Sequence, residues 1–426
     1  APIWDAPRKA ALLDALGAVE AHGLPAARYD VDALSTLLSD AETPVDMVEL
    51  AAGRMFLKYA RDVSSGLLEP RQVDRDIVIR PPRPDEATLL MDLADSTDIP
   101  AFFKTLAPAD KQYARLQAEK IRLEAIISAG GWGESVPSGK SLKPGQTAER
   151  VVALRARLGS INGADYGSDP IFDEALTDIV KAFQEQNGLN DDGVVGPKTL
   201  EAVNASAADR LRQVLVNLER QRWLNVERGD RHIFVNQADF SVSVVDDGEV
   251  TFWSRTVIGK NKHKTQEFND TMTHMVVNPT WHVPRSITTE EMLPKLKRNP
   301  GALGSSFQVM TRNGTRVNPR FVNFNQFSAG NFPFIVKQKP GGANALGRVK
   351  FMFPNQFNIY LHDTPSKSLF NRDARAYSHG CVRVQKPFEL AHTLLAPQSD
   401  DPEGLFSSVL ARGNERRINL ETPVPI

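Results

Sequence analysis

Leu12, Leu13, Leu16 and Val19 recur at the spacing of one helix face before His22-Gly23-Leu24-Pro25 breaks the run. A second apolar stripe, Val48, Ala51, Met55 and Ala60, follows the start signal Thr43-Pro44 and predicts a helix over Val45 to Ala60. The segment Ile79 to Pro84 (IRPPRP) holds too much proline for regular structure and reads as an extended connector. A long charged helix from about Pro108 to Ser128 then runs into GGWGE. No constellation of catalytic side chains stands out in this region, which reads as a scaffold.

Small and polar residues replace the apolar period over Ser138 to Glu149, which predicts a linker. A compact helical unit follows. Val151, Val152, Leu154 and Leu158 form one helix, and Phe172 to Asn187 a second. In GLNDDGVVGPKTLEAVN, Gly193 and Gly196 supply turn backbone and Pro197 opens a short helix. Asp191-Asp192-Gly193 lacks the alternating oxygen ligands and terminal Glu of a calcium loop. Ala208 to Trp223 predicts one more amphipathic helix, with Leu211, Val214, Leu215, Leu218 and Arg222 along one side.

Beyond Trp223 the period changes from 3.6 to 2. Val242 and Val244 alternate with serines, Asp247-Gly248 supplies a hairpin turn, and Val250, Phe252, Ser254 and Thr256 return on one face. Further strands are expected at Thr273 to Val283, Phe332 to Lys337, Gly347 to Phe353 and Asn358 to His362. A long excursion breaks the pattern between Val283 and Phe332, where Thr288 and Glu291 fit a capping box opening a helix that Asn299-Pro300 ends. Long excursions within a sheet are commonly lids. We read the fold as multidomain α+β, with a helical lid inserted in a β-rich domain.

Composition changes this picture little. Lys plus Arg is 51 against 52 for Asp plus Glu, a formal net charge of -1, and 41% of residues are hydrophobic, so nothing points to a nucleic-acid partner. No run of about 18 apolar residues predicts a transmembrane segment. The opening APIWDAPRKAA has no basic region leading into an apolar stretch, so any signal peptide is expected to have been removed.

Cysteine usage changes it more. Cys381 is the single cysteine in 426 residues, within AYSHGCVRV. A cysteine acts as nucleophile when a nearby base or cation favours its thiolate. His379 lies two residues away and His362, ending NIYLH, 19 residues upstream. In a papain-like peptidase the cysteine precedes the histidine, the reverse of the order here, and Ser378 lacks the elbow motif of a serine hydrolase. Alternation turns His379 away from the cysteine, whereas His362 reaches it if its strand neighbours the SHGC segment. Gly380 permits the torsions of an oxyanion site, with the amides of Gly380 and Cys381 as donors. Arg383, two beyond the cysteine, shares its face and could fork onto a substrate carboxylate. Trp281 and Tyr360, on strands expected to line the cleft, offer aromatic surface, for substrate contact or for sheet packing. His274 and His282 share a face of one expected strand, but two histidines fall short of a zinc set, so no metal is expected. Local chemistry alone leaves Cys381 either a small buried hydrophobe or a nucleophile.

His362-Asp363-Thr364 followed, after 15 residues counted from His362, by Ser378-His379-Gly380-Cys381-Val382-Arg383 resembles the signature of the L,D-transpeptidase (YkuD-type) catalytic domain. Asp192, Gly193, Gly196 and Thr199 resemble the D-G-x-x-G-x-x-T ending of a peptidoglycan-binding module. The order of parts is similar to that of large periplasmic members of Gram-negative bacteria. The resemblance implies a helical scaffold over 1–137, a three-helix peptidoglycan-binding-like domain over 146–204, and a catalytic domain over 205–426 with its insertion at about 284–331. It implies Cys381 as nucleophile and His362 as base, with the Asp363 carbonyl orienting the imidazole. Ser378, His379 and Gly380 would shape the oxyanion region, and Arg383, Tyr360, Trp281 and Tyr377 would contact substrate. It further implies donor and acceptor peptidoglycan stem peptides as partners, a 3-3 cross-link as product, no cofactor, acylation by carbapenems, and a periplasmic location. Hydrolysis of the acyl-enzyme, lipoprotein anchoring, and non-catalytic wall binding are the competing outcomes.

Overall fold

The computed structural model describes residues 2–426, which fall into two compact units divided after Glu227. No helix among the described residues is long and apolar enough to cross a membrane.

The first unit is helical. Asp5 caps the helix Ala6–Gly17 by accepting from Arg8 N, and Pro44 starts the long helix Val45–Ser65. Leu12 and Leu16, on the first marked face, pack in one apolar cluster with Phe56, Tyr59 and Phe103; of the second stripe Val48 and Ala60 are buried there and Ala51 and Met55 only in part. Around Val151, Leu158, Phe172 and Val180 a second cluster gathers helices Glu149–Asn162, Glu174–Gln186 and Pro197–Asn204. There the Asp192-Gly193 turn has a specific structural use. Gln184, 1% exposed, accepts from Gly193 N at 2.9 Å and donates to Thr199 Oγ1 at 3.1 Å and Asp192 Oδ1 at 3.2 Å. One buried amide therefore gathers three residues of the motif, and Gly193 holds φ 74, a torsion that side chains resist.

The helix Ala207–Trp223 opens with a full capping box between Ser206 and Asp209. Its far end carries a buried polar network. Arg222, 1% exposed, donates to Glu219 Oε2 at 2.7 Å, to the His22 carbonyl at 2.7 Å and to Tyr113 Oη at 3.2 Å. Glu219 Oε1 accepts in turn from Trp223 Nε1 at 3.0 Å and Leu68 N at 2.8 Å.

The second unit is built on two sheets. Its strands are β1 (Arg231–Asn236), β2 (Ser241–Asp246), β3 (Glu249–Gly259), β4 (Thr271–Val277), β5 (Trp281–His282), β6 (Phe307–Thr311) and β7 (Arg316–Val317). They continue as β8 (Phe334–Gln338), β9 (Val349–Met352), β10 (Leu361–His362), β11 (Ala376–Ser378), β12 (Val382–Val384) and β13 (Arg416–Pro425). The large sheet runs β1-β2-β3-β12-β10-β9-β4-β13, with β11 beside β3. The expected hairpin joins β2 to β3, and both turn residues take positive φ, Asp247 at 51° and Gly248 at 81°. Met275, Phe351, Leu361 and Val382 point to the core, where helices Pro387–Leu395 and Pro402–Ala411 add Leu390, Leu394 and Phe406.

Four expectations are corrected. The strand anticipated over Thr273 to Val283 breaks at Asn278, which takes φ 50 and ties its side chain to the Leu410 carbonyl at 2.9 Å. His274 and His282 consequently lie in different sheets, on β4 and β5, and share no face. The insertion is not merely helical: β5-β8-β6-β7 form a second sheet with apolar clusters of its own around Val309, Val336, Leu296 and Phe332. The strand near Phe332 to Lys337 belongs there. Thr288 is no N-cap either. Its helix begins at Arg285, and its hydroxyl donates back to the Pro284 carbonyl at 3.0 Å inside a π-turn, Thr288–Met292.

Candidate active site

Period-2 alternation across three strands builds the site. β10 lies between β12, parallel to it, and β9, antiparallel to it. The register sets His362 opposite Arg383 on one side and Lys350 on the other. Leu361, between Val382 and Phe351, points to the opposite, buried face. Because cross-strand partners share a face, His362, Arg383 and Lys350 line one side of the sheet. One step back, Val382 N donates to the Tyr360 carbonyl at 3.0 Å, which sets Cys381 beside Tyr360 on that same side.

His362 is 4% exposed. Its Nδ1 lies 2.5 Å from the Asp363 carbonyl, so Nδ1 carries the proton and Nε2 keeps its lone pair. Burial, and next the Arg383 guanidinium, lower its pKa to about 4, so the ring is a neutral acceptor near pH 7. Asp363 is itself fixed: its carboxylate accepts from Lys367 Nζ at 2.7 Å, Thr364 N at 2.7 Å and Arg348 N at 2.8 Å. That clamp aims the carbonyl on which the imidazole rests.

Cys381 is half-buried, and burial raises its thiol pKa. Hydrogen bonds from the Tyr360 backbone and hydroxyl, and then the charges of Arg383 and Lys350, oppose that rise. The sulfur donates to the Asn358 carbonyl at 3.5 Å. Burial likewise raises the Tyr360 phenol, which keeps it a hydrogen-bond donor. Its ring meets His362 edge-on at 5.7 Å.

The loop from β11 to β12 is held by Ser378, 2% exposed, whose hydroxyl donates to the Cys381 carbonyl at 2.5 Å and accepts from Gly380 N at 3.1 Å. The Gly380 amide is therefore already engaged, contrary to the expectation that it faces a reacting oxygen. What glycine supplies at 380 is conformation, φ 114. Thr265, which the sequence reading passed over, bridges this loop to β3 by accepting from Gly259 N at 2.9 Å and donating to the Gly380 carbonyl at 2.7 Å.

His379 turns away from the sulfur toward the insertion. Its Nε2 lies 2.7 Å from Glu291 Oε1 and 3.3 Å from Lys260 Nζ, and its ring stacks on His263 at 4.9 Å. Lys262 and Glu290 add a second ion pair at 3.7 Å. Tyr377 is exposed on β11. Trp281 sits in the smaller sheet, where its ring packs edge-on against Phe307 at 6.5 Å in the insertion's own core. Arg383 is half-buried, and its Nε has no hydrogen-bond partner among the described residues.

With this geometry in hand, residues 230–426 match the L,D-transpeptidase catalytic domain family. Over those residues the chain is similar to L,D-transpeptidase catalytic domains. Residues 1–119 match a scaffold domain family, and residues 147–203 a family described as "Putative peptidoglycan binding domain". A Haemophilus influenzae protein described as "Putative L,D-transpeptidase" is 37% identical over 186 residues, covering 42% of this chain. The match spans 38% of that protein's length. A solved L,D-transpeptidase fragment from Xylanimonas cellulosilytica is 17% identical over 59% of this chain and 89% of its own, with a TM-score of 0.19. So low a score carries no argument about the site.

The sequence reading singled out His362, Cys381, Asp363, Tyr360 and Arg383, and all five meet around one sheet face. It missed Lys350, Thr265, Asn358 and Glu291. Only Lys350 left a signal, as the single charged residue alternating with apolar ones in VKFM.

Proposed function

We propose that the protein is a cysteine acyltransferase that joins peptidoglycan stem peptides. The observation that supports this best is the placement of Cys381 and a neutral, carbonyl-oriented His362 on one face of adjacent strands. In the first half-reaction the thiol gives its proton to His362 Nε2 and the sulfur attacks the carbonyl of a diaminopimelate to D-alanine bond. The C–N bond breaks, His362 returns the proton to the departing amine, and D-alanine leaves a thioester behind. In the second, an acceptor diaminopimelate amine loses a proton to His362 and attacks the thioester, the C–S bond breaks, and the thiol is restored. The product is a 3-3 cross-link. The unpartnered Arg383 Nε suits a substrate carboxylate, and Tyr377, exposed one strand away, would meet the stem.

The same reading places the enzyme in the periplasm, where this substrate lies, and assigns glycan contact to residues 146–204, scaffolding to 1–137 and catalysis to 205–426. Intact mass after carbapenem treatment tests the nucleophile: one adduct is expected, absent in Cys381→Ala. Muropeptide analysis after incubation with tetrapeptide stems tests the acceptor. Absence of any cross-link between diaminopimelate residues would sink the transfer reading in favour of hydrolysis.

A further inference from the structure

Lys350 is the site residue to which the proposed chemistry assigns no role. It stands on β9 directly opposite His362, as Arg383 does on β12, so the base is flanked across the sheet by two cations. Its Nζ lies 5.6 Å from the centroid of the Tyr360 ring, and the Tyr360 hydroxyl bonds the Cys381 sulfur. The side chain is half-buried, where an ammonium loses hydration and its field reaches further than in water.

We propose that Lys350 is a positioning residue for the acyl-transfer step, its ammonium stabilising the Cys381 thiolate while disfavouring a proton on His362. The proposal rests on the reading of Cys381 as nucleophile.

The neighbouring charges bear on how far this goes. From β10 and β12 the site receives His362, Tyr360, Arg383 and Cys381. From the other side His274 on β4, His282 on β5 and Glu415 beside β13 interact with Lys350. Glu415 is the single acid among them and offsets the Lys350 charge only in part, since burial still holds the ammonium below the usual lysine range. Cation–π contact with Tyr360 fixes where that charge sits. Arg383 alone would polarise the site from one strand. With Lys350 on the other, a negative sulfur and, later, a negative oxygen meet positive charge from both sides without a cation moving.

The test is the pH dependence of Cys381 alkylation by iodoacetamide in the full chain, followed by intact mass. It needs no peptidoglycan, so it stands whether or not the transfer reaction is found. In Lys350→Met the profile is expected to move up by about one pH unit, with alkylation roughly tenfold slower below the inflection. Lys350→Arg, which keeps the charge, is expected to restore most of the rate. Should the methionine variant fail to fold by circular dichroism, Lys350→Gln asks the same question with a polar chain. An unshifted profile in the folded neutral variant would overturn the proposal, as would an equal shift in Lys350→Arg, because either outcome removes charge as the cause.

Discussion

Two arginines, one buried and one half-buried, set the two units of this molecule apart. Arg222 in the helical unit is fully engaged: Glu219, the His22 carbonyl and the Tyr113 hydroxyl all accept from it. Arg383 in the β-rich unit is half-buried beside His362, and its Nε meets no acceptor among the described residues. Leaving a buried donor unmade costs about 1–3 kcal/mol. An unmade donor does not by itself mark a site, since Arg375, 2% exposed, also has an Nε without a partner among the described residues; what sets Arg383 apart is its place opposite His362.

The largest effects should come from the open cluster. His362→Ala is expected to slow acylation by roughly 10² to 10⁴, measured as adduct formation with a carbapenem. His379→Ala should cost far less, because that ring contacts Glu291 and His263 rather than the sulfur. Equal losses in the two variants would erase the division between base and loop support.

In the closed network, removing one partner should be felt as stability. Glu219→Ala strands a buried guanidinium and frees Leu68 N and Trp223 Nε1, an expected loss of about 3–5 kcal/mol by urea denaturation. Arg383→Met is the converse case. It removes a charge whose Nε was never satisfied, so stability should change little while KM for a carboxylate-bearing donor rises.

Acid should sharpen the contrast further. The pKa of His22 is lowered to about 4 by burial first and the Arg222 charge second. The unfolded chain takes up its proton near 6.5 and the folded one does not, so stability is full above 6.5 and declines as pH falls toward 4. His362 has the same sign, but there the consequence includes chemistry: the base form persists below pH 6.5, and acylation should keep its His362 dependence at pH 5.5. Glu291→Ala completes the series with the smallest effect. Surface ion pairs are worth about 0–1 kcal/mol, so a few-fold change in acylation and no change in melting are expected.

The alternation in NIYLH and VRV, the HGC glycine and the hairpin at Asp247-Gly248 could all be read from the chain, because each rests on local geometry repeated every second residue. So could the amphipathic helices and their stops. The break at Asn278 could not, since a polar residue in a strand period gives no sign that its amide will find the Leu410 carbonyl. Nor could the second sheet, whose strands are separated in sequence by as many residues as lie between Val317 and Phe334.

What the sequence by itself determined is which pair to single out, Cys381 and His362, the face that they share, and the turns that need glycine or positive φ. Those follow from side-chain chemistry and from the period of the backbone. Tertiary structure decided which strands became neighbours, and with that which charges flank His362. Lys350 lies 12 positions before His362 in the chain and yet stands directly opposite it in the sheet. Electrostatics depend on distance through space, and strand pairing between separated segments is what sets that distance.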